Sequence, residues 1–181
     1  MIKKSLLPFI ILGLSLILIV YHIMVIYCVK GIQNMAMPGN MNNRGVNRMY
    51  TTDFGPEPFA VNIERATVMN NNYRTALWTG EHLQLTLMSI PVNGDIGLEM
   101  HPEVDQFIRI EDGDAIVKMG STKDKLNYQA RLNGSDAVIV PAGTWHNIIN
   151  IGDKPLKLYS IYAPPNHPFG TVQETKETKE A

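Results

Sequence analysis

From Arg74 onward the chain breaks into short runs in which apolar and polar positions interleave, separated by turn-forming residues: "RTALWTG", "HLQLTLMSI", "DIGLEMH", "DQFIRIEDG", "DAIVKMG", "DAVIVPAG", "HNIINIGD" and "LKLYSIYAPP". In the second run Leu83, Leu85 and Leu87 alternate with Gln84, Thr86 and Met88. That is the period of two a half-buried strand requires. The "EDGDAIV" and "NIGDKPL" stretches read as hairpin turns, where Asp-Gly and Gly-Asp supply positive φ. Many short strands at near-even spacing predict an all-β sandwich or small barrel. Helix is expected only over "ERATVMNNN" and over the polar tail "TVQETKETKEA".

The start of the chain has a different pattern. Ser5 to Val29 contains no Asp, Glu, Lys or Arg, and an apolar run of roughly 25 residues is long enough for a helix to cross a bilayer. Residues 1–30 are therefore expected to be an N-terminal transmembrane anchor. A cleaved signal peptide fits less well, because the run is long and no small-x-small site precedes Cys28. Lys3 and Lys4 on one flank face Lys30, Arg44 and Arg48 on the other, so the positive-inside rule leaves the side open. A start at Met35, Met37 or Met41 would instead give a cytoplasmic protein. Residues 31–58, rich in Asn, Gly, Pro and Met, read as a flexible linker. Residues 59–170 then form the globular domain, and residues 171–181 a polar tail.

Charge narrows the partners. All 17 acidic residues lie after residue 50, against 11 of the 16 basic ones. An acidic domain argues against nucleic acid, which wants a basic stripe. Cys28 is the single cysteine, so no internal disulfide can form.

The candidate chemistry lies in "GLEMHPEVDQF". Glu99 and His101 are two apart, so on a strand they share a face. Pro102 interrupts ladder pairing, and the turn that follows can bring Gln106 back beside them. His146 follows the tight "PAGTW" turn. Two imidazoles, one carboxylate and one amide oxygen can thus converge as metal ligands. Asp105 is the alternative to Gln106 if a bulge reverses the register. Without a metal, Glu99 and Gln106 would hydrogen-bond each other and His101. His82 reads as a surface or partly buried histidine, and His167 as a turn residue, with covering the barrel mouth as its alternative. Trp78, Trp145 and Tyr159 read as core or dimer contacts, with walling a pocket as the alternative. Arg74 and Arg109 read as surface charges, with binding an anionic substrate as the alternative. Glu103 and Tyr159 are candidate proton carriers from proximity alone.

"GLEMHPEVDQFIRIEDG" followed by "GSDAVIVPAGTWHNIIN" resembles the two signature motifs of the cupin superfamily. The second motif is intact, as Pro141, Gly143, His146 and Asn150. In the first, Gly113 is in place, but Glu99 stands where the family's first His is expected and Gln106 where its Glu is expected. The resemblance implies a double-stranded β-helix, a small jelly-roll barrel with a metal site inside, here preceded by the anchor. Exchanging His for Glu and Glu for Gln keeps one anionic and three neutral ligands. Two oxygens then lean the site toward Fe or Mn, with Zn or Ni also compatible.

The wider phrase resembles small single-domain cupins often labelled mannose-6-phosphate isomerase-like. The expectation is a metal-binding domain acting on a small molecule, as a sugar-phosphate isomerase. The alternatives are a metal-dependent dioxygenase or a non-catalytic sugar-binding module tethered to the membrane. A homodimer is expected from barrel edges and exposed aromatics.

Overall fold

A computed structural model describes residues 52–176. One helix, α1 (Ile63–Met69), precedes nine strands: β1 (Arg74–Thr79), β2 (Gln84–Ile90), β3 (Asp105–Asp112), β4 (Ala115–Gly120), β5 (Tyr128–Leu132), β6 (Ala137–Val140), β7 (Trp145–Asn150), β8 (Leu156–Ala163) and β9 (Val172–Gln173). They form a six-stranded sheet, ordered β6-β3-β8-β2-β1-β9, and a three-stranded sheet, ordered β5-β4-β7. Every pairing between strands is antiparallel. The jelly-roll expectation thus holds in its all-β part.

Alternation decides which side chains enter the space between the sheets. In β3 Gln106, Ile108 and Ile110 are buried, in β4 Ala115, Val117 and Met119, and in β7 His146, Ile148 and Asn150. Ile90, Ile110, Val117, Ile148, Leu156 and Leu158 are almost wholly removed from water and belong to one interior cluster. Each such residue contributes about 1.5–3 kcal/mol on burial. The opposite face of the large sheet would be left bare without α1. Ala66 of α1 packs there on Leu77, Leu87 and Tyr159, with Phe54 and Phe59 stacked at 4.4 Å beside them. The helix starts at Asn62, whose side chain accepts from the Arg65 N–H, and stops where Asn70 turns to extended backbone.

Several expectations are corrected. Among the described residues no helix is long and apolar enough to cross a membrane. The one helix has 7 residues, or about 10 Å of rise against about 30 Å of hydrocarbon. The expected anchor, residues 1–30, lies outside the described residues. The described fold is therefore an all-β barrel with a short covering helix. The single-pass membrane placement and the membrane partner have no basis in it. Within the tail, Val172 and Gln173 pair with β1 as a strand rather than a helix. "DIGLEMH" is not a continuous strand either: it meets β7 through isolated bridges at Asp95 and Glu99, broken where Gly97 takes φ 87°.

Candidate metal centre

The bridges that replace that strand build the site. The Ile96 N–H donates to the Ile148 carbonyl at 3.0 Å, and Glu99 and His146 exchange both backbone hydrogen bonds, at 3.0 and 2.9 Å. This reciprocal pairing sets the two side chains next to each other on one face. Farther along, the Gly143 N–H donates to the His101 carbonyl at 2.8 Å. Gly143 has φ 74°, a left-handed conformation that a glycine adopts without Cβ strain. The turn before β7 thereby ties the segment carrying Glu99 and His101 to the one carrying His146. Asn150 serves the scaffold instead, since its amide donates to the carbonyls of Ile90, Pro91 and Lys154 and clamps strand ends together.

Ligand atoms of Glu99, His101 and His146 all lie within 4.8 Å of one another. Glu99 Oε1 is 3.5 Å from Nε2 of each imidazole, and the ring centroids are 5.5 Å apart. His146 is fully buried. Its Nδ1 donates to the Thr144 carbonyl at 3.0 Å, which leaves the Nε2 lone pair of the neutral ring facing Glu99. A separation of 3.5 Å is ion-pair range and too long for a strong hydrogen bond. Glu99 Oε1, His101 Nε2 and His146 Nε2 are accordingly buried without hydrogen-bond partners.

Three buried polar atoms without partners meeting at one point are costly for a protein alone. A shared ion removes the cost: donors at about 2.1 Å from a metal stand about 3–3.5 Å from each other. The residues present therefore fit a divalent transition metal. Burial works to raise the Glu99 carboxyl, but the two imidazoles beside it prevail and lower it from 4.5 to about 2. Glu99 is a carboxylate at neutral pH.

Gln106 lies on β3 of the larger sheet, with its side chain buried in the barrel interior. Its Nε2 donates to Ser160 Oγ at 3.2 Å, while Oε1 is buried and unpartnered. Asp105 instead faces outward, where it accepts from the Ala142 N–H. On the strands beside β3, Tyr162 pairs in register with both Gln106 and Gln84, and Thr86 pairs with Ser160. The Tyr162 hydroxyl and Thr86 Oγ1 are likewise buried without partners. Burial raises the Tyr162 phenol above its ordinary value, so it stays protonated. Thr86 and Ser160 stand near enough to the phenol to oppose its rise as hydrogen-bonding neighbours, although neither meets full hydrogen-bond geometry with it. Tyr162 stands edge-on to His101 at 5.9 Å and to His167 at 5.0 Å. The barrel interior thus has an apolar region of Ile, Val and Leu and a polar region around Glu99.

His167, read from sequence as a turn residue, is held over that polar region. Gln84, fully buried, accepts from the His167 N–H at 2.9 Å and donates to its carbonyl at 2.8 Å. Burial, and next the Arg74 charge, lower the His167 imidazole from 6.5 to about 4. The proton carriers suggested by proximity lie elsewhere. Glu103 is exposed, and Tyr159 packs in the outer cluster under α1. Tyr162, three residues on along the same strand, faces the site in its place. A surface cleft of about 380 Å³, lined in part by Asn71, Tyr73, Asp95, Lys157 and Lys176, includes none of Glu99, His101 and His146.

Comparison with known proteins places this jelly-roll fold. Residues 86–162 match the family described as Cupin domain. "Uncharacterized protein YrkC" of Bacillus subtilis (strain 168) is 68% identical over 124 residues, 68% of this chain and 67% of that protein. "Uncharacterized protein L612" of Acanthamoeba polyphaga mimivirus is 44% identical over 115 residues, 63% of this chain and 70% of that protein. The crystal structure of BH2720 from Bacillus halodurans superposes with a TM-score of 0.68 at 59% identity, covering 68% of this chain and 93% of that one. The chain belongs to the cupin superfamily.

Proposed function

We propose that this cupin binds a divalent transition metal through Glu99, His101 and His146, with Gln106 as a fourth ligand, and acts there on a small oxygen-bearing molecule. The observation that carries the reading is the set of four orphaned donor atoms, one on each of these residues. A carboxylate, an amide oxygen and two imidazoles favour Fe(II) or Mn(II), with Zn(II) and Ni(II) compatible. When bound, such an ion supplies Lewis acidity toward a carbonyl or enediol oxygen.

The chain's own residues supply the rest. Tyr162, protonated and without a partner, is the proton donor facing the ligand. Thr86 and Ser160 offer hydroxyls that orient it. His167, neutral and held by Gln84, closes the polar region against water. This arrangement suits isomerisation of a carbonyl compound of the sugar-phosphate kind, the reaction the motif resemblance points to. A second reading rests on the ligand set itself: two histidines and one carboxylate with open positions also suit Fe(II) and dioxygen.

The test is calorimetric titration of Mn(II) and Fe(II) into metal-free protein, followed by assays for solvent-deuterium incorporation into aldose and ketose phosphates and for dioxygen uptake. Near-stoichiometric binding that Glu99→Ala abolishes and Gln106→Ala weakens is expected. Binding unchanged in both variants would exclude this centre.

A further inference from the structure

Arg74 opens β1, and its Cα partner across the ladder is Met88, a member of the interior cluster. Paired residues of an antiparallel ladder point to the same face, so Arg74 projects into the barrel, and it is 7% exposed. Its partners are weak for a buried cation. Nη1 donates to the Gln173 amide oxygen at 3.1 Å, Nη2 reaches the Met88 sulfur at 3.9 Å, and the guanidinium carbon stands 5.5 Å from the Tyr73 ring centroid. Nε has no partner. Among the described residues no carboxylate lies within ion-pair distance of Arg74, whereas Arg109, on the same sheet, pairs with Glu111 at 3.2 Å.

A guanidinium buried without a counter-charge is an expensive arrangement. Its open edge is the one formed by Nε and Nη2, two parallel N–H groups whose only contact is a thioether. That edge matches the two oxygens of a carboxylate or phosphate. The ladder partner of Arg74, Met88, lies two residues from Thr86 on the same interior-facing side of β2.

We propose that Arg74 is the counter-charge for an oxyanion on the molecule bound inside the barrel, so that the ligand class is a small carboxylate or phosphate. The inference rests on the interior-site reading above and adds to it the residue that would hold the ligand's negative charge. An anion placed there lies between the Arg74 cation and the ligand cluster, with the Tyr162 and Thr86 hydroxyls as further donors. It would satisfy the Arg74 edge together with the orphaned hydroxyls of Thr86 and Tyr162, which sit on neighbouring strands of the same sheet.

The experiment is calorimetry on the full chain, metal-free and Mn(II)-loaded, with sodium glycolate and inorganic phosphate as probes and ethylene glycol as the neutral counterpart of glycolate. At least one anion is expected to bind, in preference to ethylene glycol. Arg74→Gln should weaken it about ten- to hundredfold with Mn(II) affinity unchanged, and Arg74→Lys, which keeps charge but loses the fork, should recover only part. Whichever anion shows this dependence identifies the source. Anion binding as tight in Arg74→Gln as in the wild type, or no anion binding in either metal state, would overturn the proposal. Should Arg74→Gln fail to fold, the wild-type comparison decides, since equal affinity for glycolate and ethylene glycol overturns it as well. Arg74-dependent anion binding without any Mn(II) binding would instead sink the metal reading and leave this one standing.

Discussion

Thr86→Val removes one hydroxyl from the polar region of the barrel and replaces it with a methyl group of the same shape. Thr86 is fully buried, and its Oγ1 has no hydrogen-bond partner. A buried hydroxyl left unsatisfied costs about 1–3 kcal/mol. The substitution creates no cavity, and valine has at least as high a strand preference as threonine. The ligand-free variant is therefore expected to be more stable than the wild type by about 1–2 kcal/mol. In a domain of this size that is a rise in Tm of several degrees, or about 3–8 °C. Urea unfolding of both proteins without metal, with m-values compared to confirm two-state behaviour, measures it. Destabilisation by more than about 1 kcal/mol would refute the reasoning. It would mean that the hydroxyl is satisfied in the protein alone and that this region was not left open for a ligand.

Other consequences follow from the same structure. His167 has its pKa lowered from 6.5 to about 4, so the unfolded chain binds its proton more readily than the folded one between those values. Stability should be full above about pH 6.5 and fall by at most about 3 kcal/mol as pH drops toward 4; denaturant unfolding across that range should show a smaller loss in His167→Asn. Ile148 is wholly buried in the interior cluster, and Ile148→Ala should cost about 2–5 kcal/mol by urea unfolding. Gly143→Ala meets nothing within 4 Å of its new Cβ, so only the φ of 74° opposes it. The same measurement should find a cost of about 1–2 kcal/mol.

Much of the barrel was legible because its information is local. Period-two alternation marks most strands, and in β3 it places Gln106, Ile108 and Ile110 inward and Asp105 outward. The motif spacing marks the segments carrying Glu99, His101 and His146. What depends on pairing between distant strands was not legible. Nothing near Arg74 distinguishes it from a surface arginine until β1 is laid against β2 and its partner is seen to be the interior Met88. Tyr159 and Tyr162 look equivalent along the chain, yet they are three apart on one strand and so face opposite sides of the sheet. His167 gains its place only through Gln84, 83 positions earlier. The parity of β2 and β8 could have signalled Thr86 and Tyr162, since both share a face with residues that must be interior. The span suggested by the composition of residues 1–30 lies outside the described residues, and the described fold contains no helix long and apolar enough to cross a membrane.

The most direct test of the central claim is the K-edge X-ray absorption spectrum of the Mn(II)- or Fe(II)-loaded full chain, purified without a histidine tag. The expected spectrum shows nitrogen and oxygen donors around the ion with the outer scattering of two imidazoles, reduced to one in His146→Ala. A spectrum without imidazole scattering, or one identical in His146→Ala, would contradict the claim.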